Sequence, residues 1–404
     1  MELNFNKEFM EVVRQEAMQI HEEVIENRRY LHMNPEIGFD THNTEALVKR
    51  NLESWGIEII PGKMGVFGLI KGRDSSRMVA LRADMDALCL QEENEVPYKS
   101  QISNKMHACG HDAHTAMLLG AAKILQAHKD ELPMDVLLVF QPAEEGPNLG
   151  GARVMLADLQ EKGMADKIQH FFGLHVFNDF PVGKLAFKYG PMMSSTDEFY
   201  IKIKGKGGHA GMPHQTIDAL SLGAKVIGAM ETFMSRRMDP FDSAVFSVGI
   251  FEAGSAINII ADSAKIAGTI RCQKEETRGY ILENMERIVK GLCEAYGATC
   301  HIDVVHGLPP MVNDTETLDY AMAVAKEAFG EESCGMMPNP LLGAEDFAYF
   351  AKEVPSAFMA VGTGNPEKGC TYPVHHPKFD LDEDALVVGV QMLCNLAINI
   401  ENLK

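Results

Sequence analysis

The segment DVLLVFQPAEE (135–145) carries an apolar run that ends in two adjacent glutamates. A short, continuously apolar run of this kind predicts a strand that is buried on both faces. Similar runs are GVFGLIKG (65–72), RMVALRADMD (77–86) and HFFGLHVF (170–177), and a helical segment, HTAMLLGAAKILQAH (114–128), lies among them. Buried strands that alternate with helices predict an α/β fold with a mostly parallel sheet.

The pattern changes near residue 190, where exposed and apolar residues begin to alternate. The following segments predict strands at 196–206, 244–254, 263–272 and 298–307 and helices at 219–236 and 276–296. Their order is β-α-β-β-α-β, which is typical of a ferredoxin-like unit. We therefore predict a catalytic domain formed by 1–190 and 309–404, with an inserted domain at 191–308.

The composition limits the class of partner. The chain has 404 residues, of which 46% are hydrophobic and 23% charged, as in soluble globular proteins of two or three domains. Its formal net charge of −20 opposes binding to phosphate backbones and to anionic lipid. We therefore expect a small-molecule partner, with no nucleic-acid or membrane binding.

The cysteines and the ends of the chain indicate a cytoplasmic protein. The eight cysteines are spaced too irregularly for a disulfide framework, so reduced thiols are expected. The first residues, MELNFNKEFMEVVRQE, are acidic and amphipathic, unlike a secretion signal. The apolar stretch 385–400 is interrupted by Gln391, Asn395 and Asn399, which favours a packed helix over a membrane span.

The segment MHACGHDAH (106–114) contains the densest group of candidate metal ligands. Thiolate and imidazole are ligands for borderline metals such as zinc. A glycine between Cys109 and His111 would let both side chains turn toward one ion. The alternative from these residues alone is a surface loop that is rich in histidine.

Glu144 and Glu145 lie a few residues after the predicted strand at 135–140. Open α/β sheets bind ligands at the carboxyl ends of their strands. Two acids at such a position need positive charge to neutralise them, and a metal ion would provide it. Because neighbouring residues point in different directions, one acid can bind metal while the other acts as a base. A solvated acidic pair is the alternative.

Two further segments supply histidines. His175 lies in the apolar run HFFGLHVF, where the alternative to a metal ligand is a histidine packed in the core. His375 and His376 precede Pro377, which restricts the backbone conformation. Together with the thiol and the two acids, these histidines supply enough ligands for a hydrolytic site with two metals.

Six blocks of the chain resemble, in the same order, those of the M20 metallopeptidase family. The similarity spans about residues 27–385 and is closest to the amidohydrolase branch, which includes aminoacylases, hippurate hydrolases and auxin-conjugate hydrolases. The blocks are RADMDAL (82–88), MHACGHDAH (106–114), QPAEEG (141–146), GHAGMPH (208–214), GAEDF (343–347) and HHPKF (375–379).

This resemblance implies two divalent metal ions per subunit, zinc or manganese, with cobalt or nickel as further options. The residues that it implies as ligands are Cys109, His111, Glu145, His175 and His375. Cys109 would bridge the ions as a thiolate, and the order of the motif favours His375 over His376. Glu144 would act as the general acid/base.

The resemblance also implies roles for residues of the inserted domain, which would be a lid and dimerisation domain. His209 would reach the active site of the partner subunit in a homodimer or higher homo-oligomer and stabilise the oxyanion. Asn258 and Arg271 match positions expected to hold the carboxylate of the substrate. Without the resemblance, polar residues at strand ends can equally be structural.

We therefore expect hydrolysis of the amide bond of N-acyl amino acids, which releases a carboxylic acid and a free amino acid. A dipeptidase or aminopeptidase of the same family is one alternative and would need a carboxylate near the free amine of its substrate. A cysteine hydrolase using Cys109 and His111 is another, but it leaves both glutamates without a role. A metal-binding protein without catalysis would not need Glu144.

Overall fold

The computed structural model describes residues 4–146 and 150–403. The chain divides into two compact units. Unit 1 comprises Met1–Gly190, Val312–Asn339 and Asp346–Lys404, and unit 2 comprises Pro191–Met311 and Pro340–Glu345.

The helices and strands follow one another along both units. The helices are α1 (Lys7–Gln19), α2 (His21–Met33), α3 (His42–Ser54), α4 (His111–Ala127), α5 (Ala152–Glu161), α6 (Ala219–Arg237), α7 (Glu275–Ala295), α8 (Thr315–Phe329), α9 (Ala348–Glu353) and α10 (Leu386–Ile398). The strands are β1 (Glu58–Ile60), β2 (Val66–Ile70), β3 (Asp74–Asp84), β4 (Met134–Gln141), β5 (Ile168–Pro181), β6 (Leu185–Phe187), β7 (Gly190–Met193), β8 (Asp197–Lys204), β9 (Gly208–His209), β10 (Ala244–Ala253), β11 (Ile259–Ile260), β12 (Ser263–Cys272), β13 (Thr299–His306), β14 (Met311–Asn313), β15 (Cys334–Met336) and β16 (Ser356–Gly364).

Unit 1 contains a mixed eight-stranded sheet in the order β1-β2-β4-β3-β5-β16-β6-β15. The central strands β4, β3, β5 and β16 are parallel to one another. Every residue of β4 and β16 is buried, as expected for strands covered on both faces. The carboxyl ends of these four strands therefore meet at one edge of the sheet.

The strands near the ends of the sheet depart from the mostly parallel arrangement that the sequence predicted. β2 runs antiparallel to β4, and β6 runs antiparallel to β16. Only residues 71–73 connect β2 to β3, which is too short for the crossover that parallel strands need. The two strands therefore run in opposite directions, with β4 between them.

Helix α4 is apolar around most of its circumference because it is enclosed on several sides. It packs against α2, α10 and β3, and most of its residues are fully buried. The tight packing of this helix fixes its amino terminus, where His111 lies.

Unit 2 has an antiparallel sheet in the order β10-β12-β8-β13. Helices α6 and α7 pack on this sheet, and the elements follow one another as β8-α6-β10-β12-α7-β13. The short strands β9 and β11 form a separate pair. None of the helices in the described ranges combines the length and the apolar character that a membrane span requires.

Candidate metal centre

Acidic residues follow the carboxyl ends of two neighbouring parallel strands in unit 1. β3 ends at Asp84 and is followed by Asp86, while β4 ends at Gln141 and is followed by Glu144 and Glu145. The backbone N–H groups of Glu144 and Glu145 donate to the two carboxylate oxygens of Asp86, at 2.9 and 3.1 Å. Asp86 therefore fixes the backbone of the glutamate pair.

A glycine at the start of α4 brings a thiol and an imidazole to the same edge. Gly110 has φ 85° and separates Cys109 from His111, the first residue of the helix. A Cβ at Gly110 would lie 2.3 Å from Val176 Cγ2, so a larger residue does not fit there. Both the backbone conformation and the close packing therefore require glycine at this position.

We expect Gly110→Ala to destabilise unit 1 more than Gly163→Ala does. Gly163 also has positive φ, 62°, but a Cβ there would meet no heavy atom of the described residues within 4 Å. Gly163→Ala should therefore cost only the left-handed backbone energy of about 1 to 2 kcal/mol. Gly110→Ala should cost at least about 1 kcal/mol more because of the overlap with Val176. Denaturant unfolding of both variants measures the difference, and equal losses would contradict the close packing.

Two groups of potential ligands share the Cys109 thiol. In the first group, Cys109 Sγ lies 3.3 Å from His375 Nε2, which lies 2.7 Å from Glu145 Oε1. In the second group, Cys109 Sγ lies 3.3 Å from His175 Nε2, and His111 completes the group. The ligand atoms within each group lie within 4.8 Å of one another, so each group could hold one ion.

The ring of His175 is oriented as metal-binding imidazoles usually are. Its Nδ1 donates to the carbonyl oxygen of Val176 at 2.8 Å, so in the neutral ring Nε2 carries no proton. That unprotonated nitrogen faces Cys109. A backbone hydrogen bond that fixes the tautomer in this way is typical of histidine ligands.

His111 is fully buried, and neither of its ring nitrogens makes a hydrogen bond within the described residues. The carboxylate oxygens of Asp86 and Asp84 lie 3.5 and 3.6 Å from Nδ1 and Nε2. Buried ring nitrogens are normally satisfied, and a metal ion is one partner that would satisfy them. His111 therefore fits the ligand role that the resemblance implies.

The site has more negative charge than its own cations neutralise. Burial raises the pKa of the Cys109 thiol well above its usual range, and the charges of Glu145 and Glu144 raise it further. Burial lowers the pKa of His111, but the carboxylates of Asp84 and Asp86 outweigh burial and raise this pKa to about 10. Divalent cations would supply the missing positive charge and favour the thiolate.

Backbone strain is concentrated beside these residues. Ala143 and His375 have φ values of 58° and 67°, in the left-handed region that non-glycine residues rarely adopt. Ala143 directly precedes Glu144, and His375 belongs to the first ligand group. Strain of this kind is characteristic of functional sites, where the surrounding structure holds it in place.

The structure distinguishes the two neighbouring histidines. His375 contacts Cys109 and Glu145, whereas the ring of His376 stacks on Tyr372 with a centroid distance of 4.4 Å. His376 Nδ1 also accepts the N–H of Lys378 at 3.0 Å. The ligand group therefore contains His375.

Sequence reasoning gave no role to the residues that support the cluster. His114 donates from Nδ1 to Asp84 at 2.6 Å, and its Nε2 accepts the N–H of Val176 at 2.9 Å. Burial alone would raise the pKa of Asp84, but the charge of Arg82, which donates to it at 2.7 Å, and the nearby histidines hold this pKa well below its usual range. The block RADMDAL was the available signal in the sequence, because it places one acid at the end of a buried strand and a second acid two residues later.

Three predicted site residues lie in unit 2. His209 and Asn258 are brought together, because β9 pairs with β11 and the N–H of Ala210 donates to the carbonyl oxygen of Asn258 at 3.1 Å. Both side chains are exposed. Arg271 lies on β12, is half-buried, and donates to the carbonyl oxygen of Ile270 at 3.1 Å.

The side chain of His209 has a defined tautomer. Its Nδ1 accepts the N–H of Gly211 at 3.0 Å. A backbone N–H can only donate, so the neutral ring carries its proton on Nε2. His209 can therefore donate a hydrogen bond from Nε2.

Residues 80–399 match the family model described as peptidase family M20/M25/M40. The chain is 38% identical over 399 residues to thermostable carboxypeptidase 2 of Saccharolobus solfataricus, covering 98% of this chain and 100% of that protein. It is 41% identical over 356 residues to hippurate hydrolase of Campylobacter jejuni, covering 87% of this chain and 90% of that protein. The crystal structure of the Bacillus subtilis YXEP protein, described as a dinuclear metal binding peptidase, matches with a TM-score of 0.82 and 34% identity over 96% of this chain and 100% of that chain.

Proposed function

The chain belongs to peptidase family M20/M25/M40 and is an amidohydrolase of N-acyl amino acids, and we propose that two divalent metal ions bind around Cys109. The observation that carries this proposal is the sharing of one thiol between two ligand groups. One ion would be held by Cys109, Glu145 and His375, and the other by Cys109, His111 and His175. Zinc or manganese suits this mixed set of ligands, with cobalt or nickel as further options.

Glu144 is the proposed general acid/base. Two divalent ions, when bound, supply Lewis acidity that activates water and polarises the amide carbonyl. Glu144 takes a proton from the attacking water and returns it to the departing amine as the C–N bond breaks. Since Asp86 fixes the backbone of both glutamates, their carboxylates can have separate roles, Glu145 as a ligand and Glu144 as the acid/base.

Unit 2 is the proposed lid and dimerisation domain, of the ferredoxin-like type, inserted at about 191–308. His209 would donate from Nε2 to the developing oxyanion in the partner subunit, and Asn258 and Arg271 would bind the carboxylate of the substrate. A local cation is needed for this because the net charge of −20 gives an anionic substrate no long-range attraction.

Exposed apolar residues on and beside an edge strand of unit 2 support the homodimer. The long strand β10 lies at an edge of its sheet, where unpaired backbone groups can bind another strand. Ile250 and Phe251 on β10 and Leu220 on α6 are 42%, 40% and 44% exposed. Pairing of two copies about a two-fold axis would cover both the edge and these side chains.

A cysteine hydrolase based on Cys109 fits the structure poorly. A nucleophilic cysteine needs a lowered pKa, whereas burial and the surrounding carboxylates raise that of Cys109. The raised pKa is instead expected for a thiol whose ionised form depends on bound metal.

A peptidase activity is the second candidate, because one of the relatives is named a carboxypeptidase. A carboxypeptidase also cleaves the amide bond next to an amino acid with a free carboxylate. The proposed contacts of Asn258 and Arg271 would bind the carboxylate of either substrate. The two activities therefore differ in the group on the acyl side of the amide bond that is cleaved.

A substrate panel assayed with zinc, manganese, cobalt and nickel tests the proposed function. We expect faster hydrolysis of N-acetyl and N-benzoyl amino acids than of the matched dipeptides with a free amine. We also expect metal analysis to find up to two metal ions per chain. The free-amine dipeptides are the control, since they share the carboxylate side of the substrate. Full amidase activity in a metal-free sample would contradict the metal-dependent mechanism.

The state of the cysteines supports a cytoplasmic location. All eight cysteines lie in the described ranges, and each is a free thiol in the structure. Free thiols are typical of proteins in reducing compartments.

A further inference from the structure

Asp346 contacts the carboxylate of the proposed acid/base through its backbone. Its N–H donates to Glu144 Oε1 at 3.4 Å. Asp346 is the first residue of the last segment of unit 1, and its side chain contacts other elements of that unit.

The side chain of Asp346 is fully buried and is held by three elements of unit 1. Arg82 on β3 donates to Oδ1 at 3.1 Å, and Gln141 at the end of β4 donates from Nε2 to both carboxylate oxygens at 2.8 Å. The N–H of Ala152, the first residue of α5, donates to Oδ2 at 2.9 Å. A carboxylate at a helix amino terminus is also favoured by the helix dipole.

The backbone of Gly150 packs closely against this carboxylate. Gly150 has φ 75°, and a Cβ there would lie 2.1 Å from Asp346 Oδ2. Arg82 also donates to Gln141 Oε1 at 3.0 Å, so the two donors to Asp346 hold each other in place. The backbone N–H of Asp346 is therefore presented to Glu144 from a rigid support.

Glu144 is held through both its backbone and its side chain. Its own N–H donates to Asp86, and its Oε1 accepts from Asp346. The strained backbone of Ala143 lies directly before it, with φ 58°. A half-buried glutamate would otherwise have several rotamers, only some of which direct the carboxylate to the reacting atoms.

We propose that Asp346 is a positioning residue, which fixes the Glu144 carboxylate in the rotamer that takes the proton from water and returns it to the leaving amine. This inference rests on the proposed function, since it gives Glu144 the acid/base role. Arg82 and Gln141 act through Asp346 rather than on the substrate. The competing interpretation is that Asp346 only neutralises the buried Arg82 and stabilises unit 1.

A double-mutant cycle between Asp346→Asn and Glu144→Gln separates the two interpretations. We expect Asp346→Asn to lower kcat by about 10- to 100-fold, with KM within about twofold and metal content unchanged. In the Glu144→Gln background the same substitution should cause no further loss of kcat, because the group that it positions is already inactive. If Asp346 only stabilises unit 1, Asp346→Asn should lower kcat by the same factor in both backgrounds, and that result would overturn the proposal.

Asp135→Asn provides the matched control. Asp135 is also buried, lies at the other end of β4, and accepts from Gly72 N–H at 2.9 Å and Ser75 Oγ at 2.8 Å. We expect this variant to unfold at lower denaturant concentration and to keep the wild-type kcat when folded. If it lowers kcat as much as Asp346→Asn does, the effect comes from general destabilisation and the proposal fails.

Gly150→Ala provides a second route if Asp346→Asn does not fold. It retains every polar group but crowds Oδ2 of Asp346. We expect a smaller loss of kcat that is again absent in the Glu144→Gln background, and wild-type kcat in folded Gly150→Ala would overturn the proposal. The proposed function fails separately, if Glu144→Gln alone keeps the wild-type kcat.

Discussion

The Glu144→Gln enzyme is expected to bind its metal ions normally and to lose at least about two to three orders of magnitude in kcat. Glutamine keeps the size of the side chain and can still accept from the N–H of Asp346, but it cannot accept or return the proton of water. Both the attack of water and the departure of the amine need that proton transfer. Steady-state kinetics together with metal analysis of the same sample measure the two effects.

Glu145→Gln is the matched variant, because it makes the same chemical change at the adjacent residue. Glu145 Oε1 lies 2.7 Å from His375 Nε2 in the first ligand group. We expect this variant to lose metal, and to lose activity only to the extent that metal is absent. If both variants retained metal and Glu145→Gln were the less active one, the roles within the pair would be reversed.

The central part of the fold could be predicted because its strands are buried on both faces. A segment such as 135–140 is apolar at nearly every position, and its short length favours a covered strand over a buried helix. The helix predicted at 219–236 is observed at Ala219–Arg237 for a similar reason, since its apolar residues repeat with helical spacing. The place of β2 beside β4 could not be predicted, because it depends on pairing between distant segments. The short connection 71–73 was the available signal that β2 and β3 run in opposite directions.

Three of the predicted ligands come together because the elements that carry them meet at one edge of the sheet of unit 1. Glu145 follows β4, His175 lies in β5, and His111 begins α4. The residues that support these ligands are harder to predict. Arg82 and Asp346 are 264 residues apart, and in the sequence they are only one cation and one acid. Only the folded chain shows that these two residues form one buried pair.

The second large effect is expected at His209, whose replacement by alanine should lower kcat by about 10²- to 10³-fold, the usual loss when one oxyanion donor is removed. His209 is exposed, and its Nδ1 is occupied by the N–H of Gly211, which leaves Nε2–H as the donor. In the proposed homodimer this donor serves the partner subunit. His214→Ala is the control, because His214 is an exposed histidine of the same GHAGMPH block, and it should keep the wild-type kcat.

Mixing His209→Ala subunits with Glu144→Gln subunits tests whether the site is shared between chains. A mixed dimer contains one site with Glu144 from the first chain and His209 from the second, while its other site lacks both. Each parent dimer is nearly inactive, so activity that rises toward half that of the wild-type dimer requires His209 to act across the interface. Native mass spectrometry establishes that mixed dimers have formed. If mixed dimers form and activity does not rise, His209 acts within its own chain or has no part in the reaction. The exposed apolar residues of the edge strand β10 would then have a role that does not involve a shared active site.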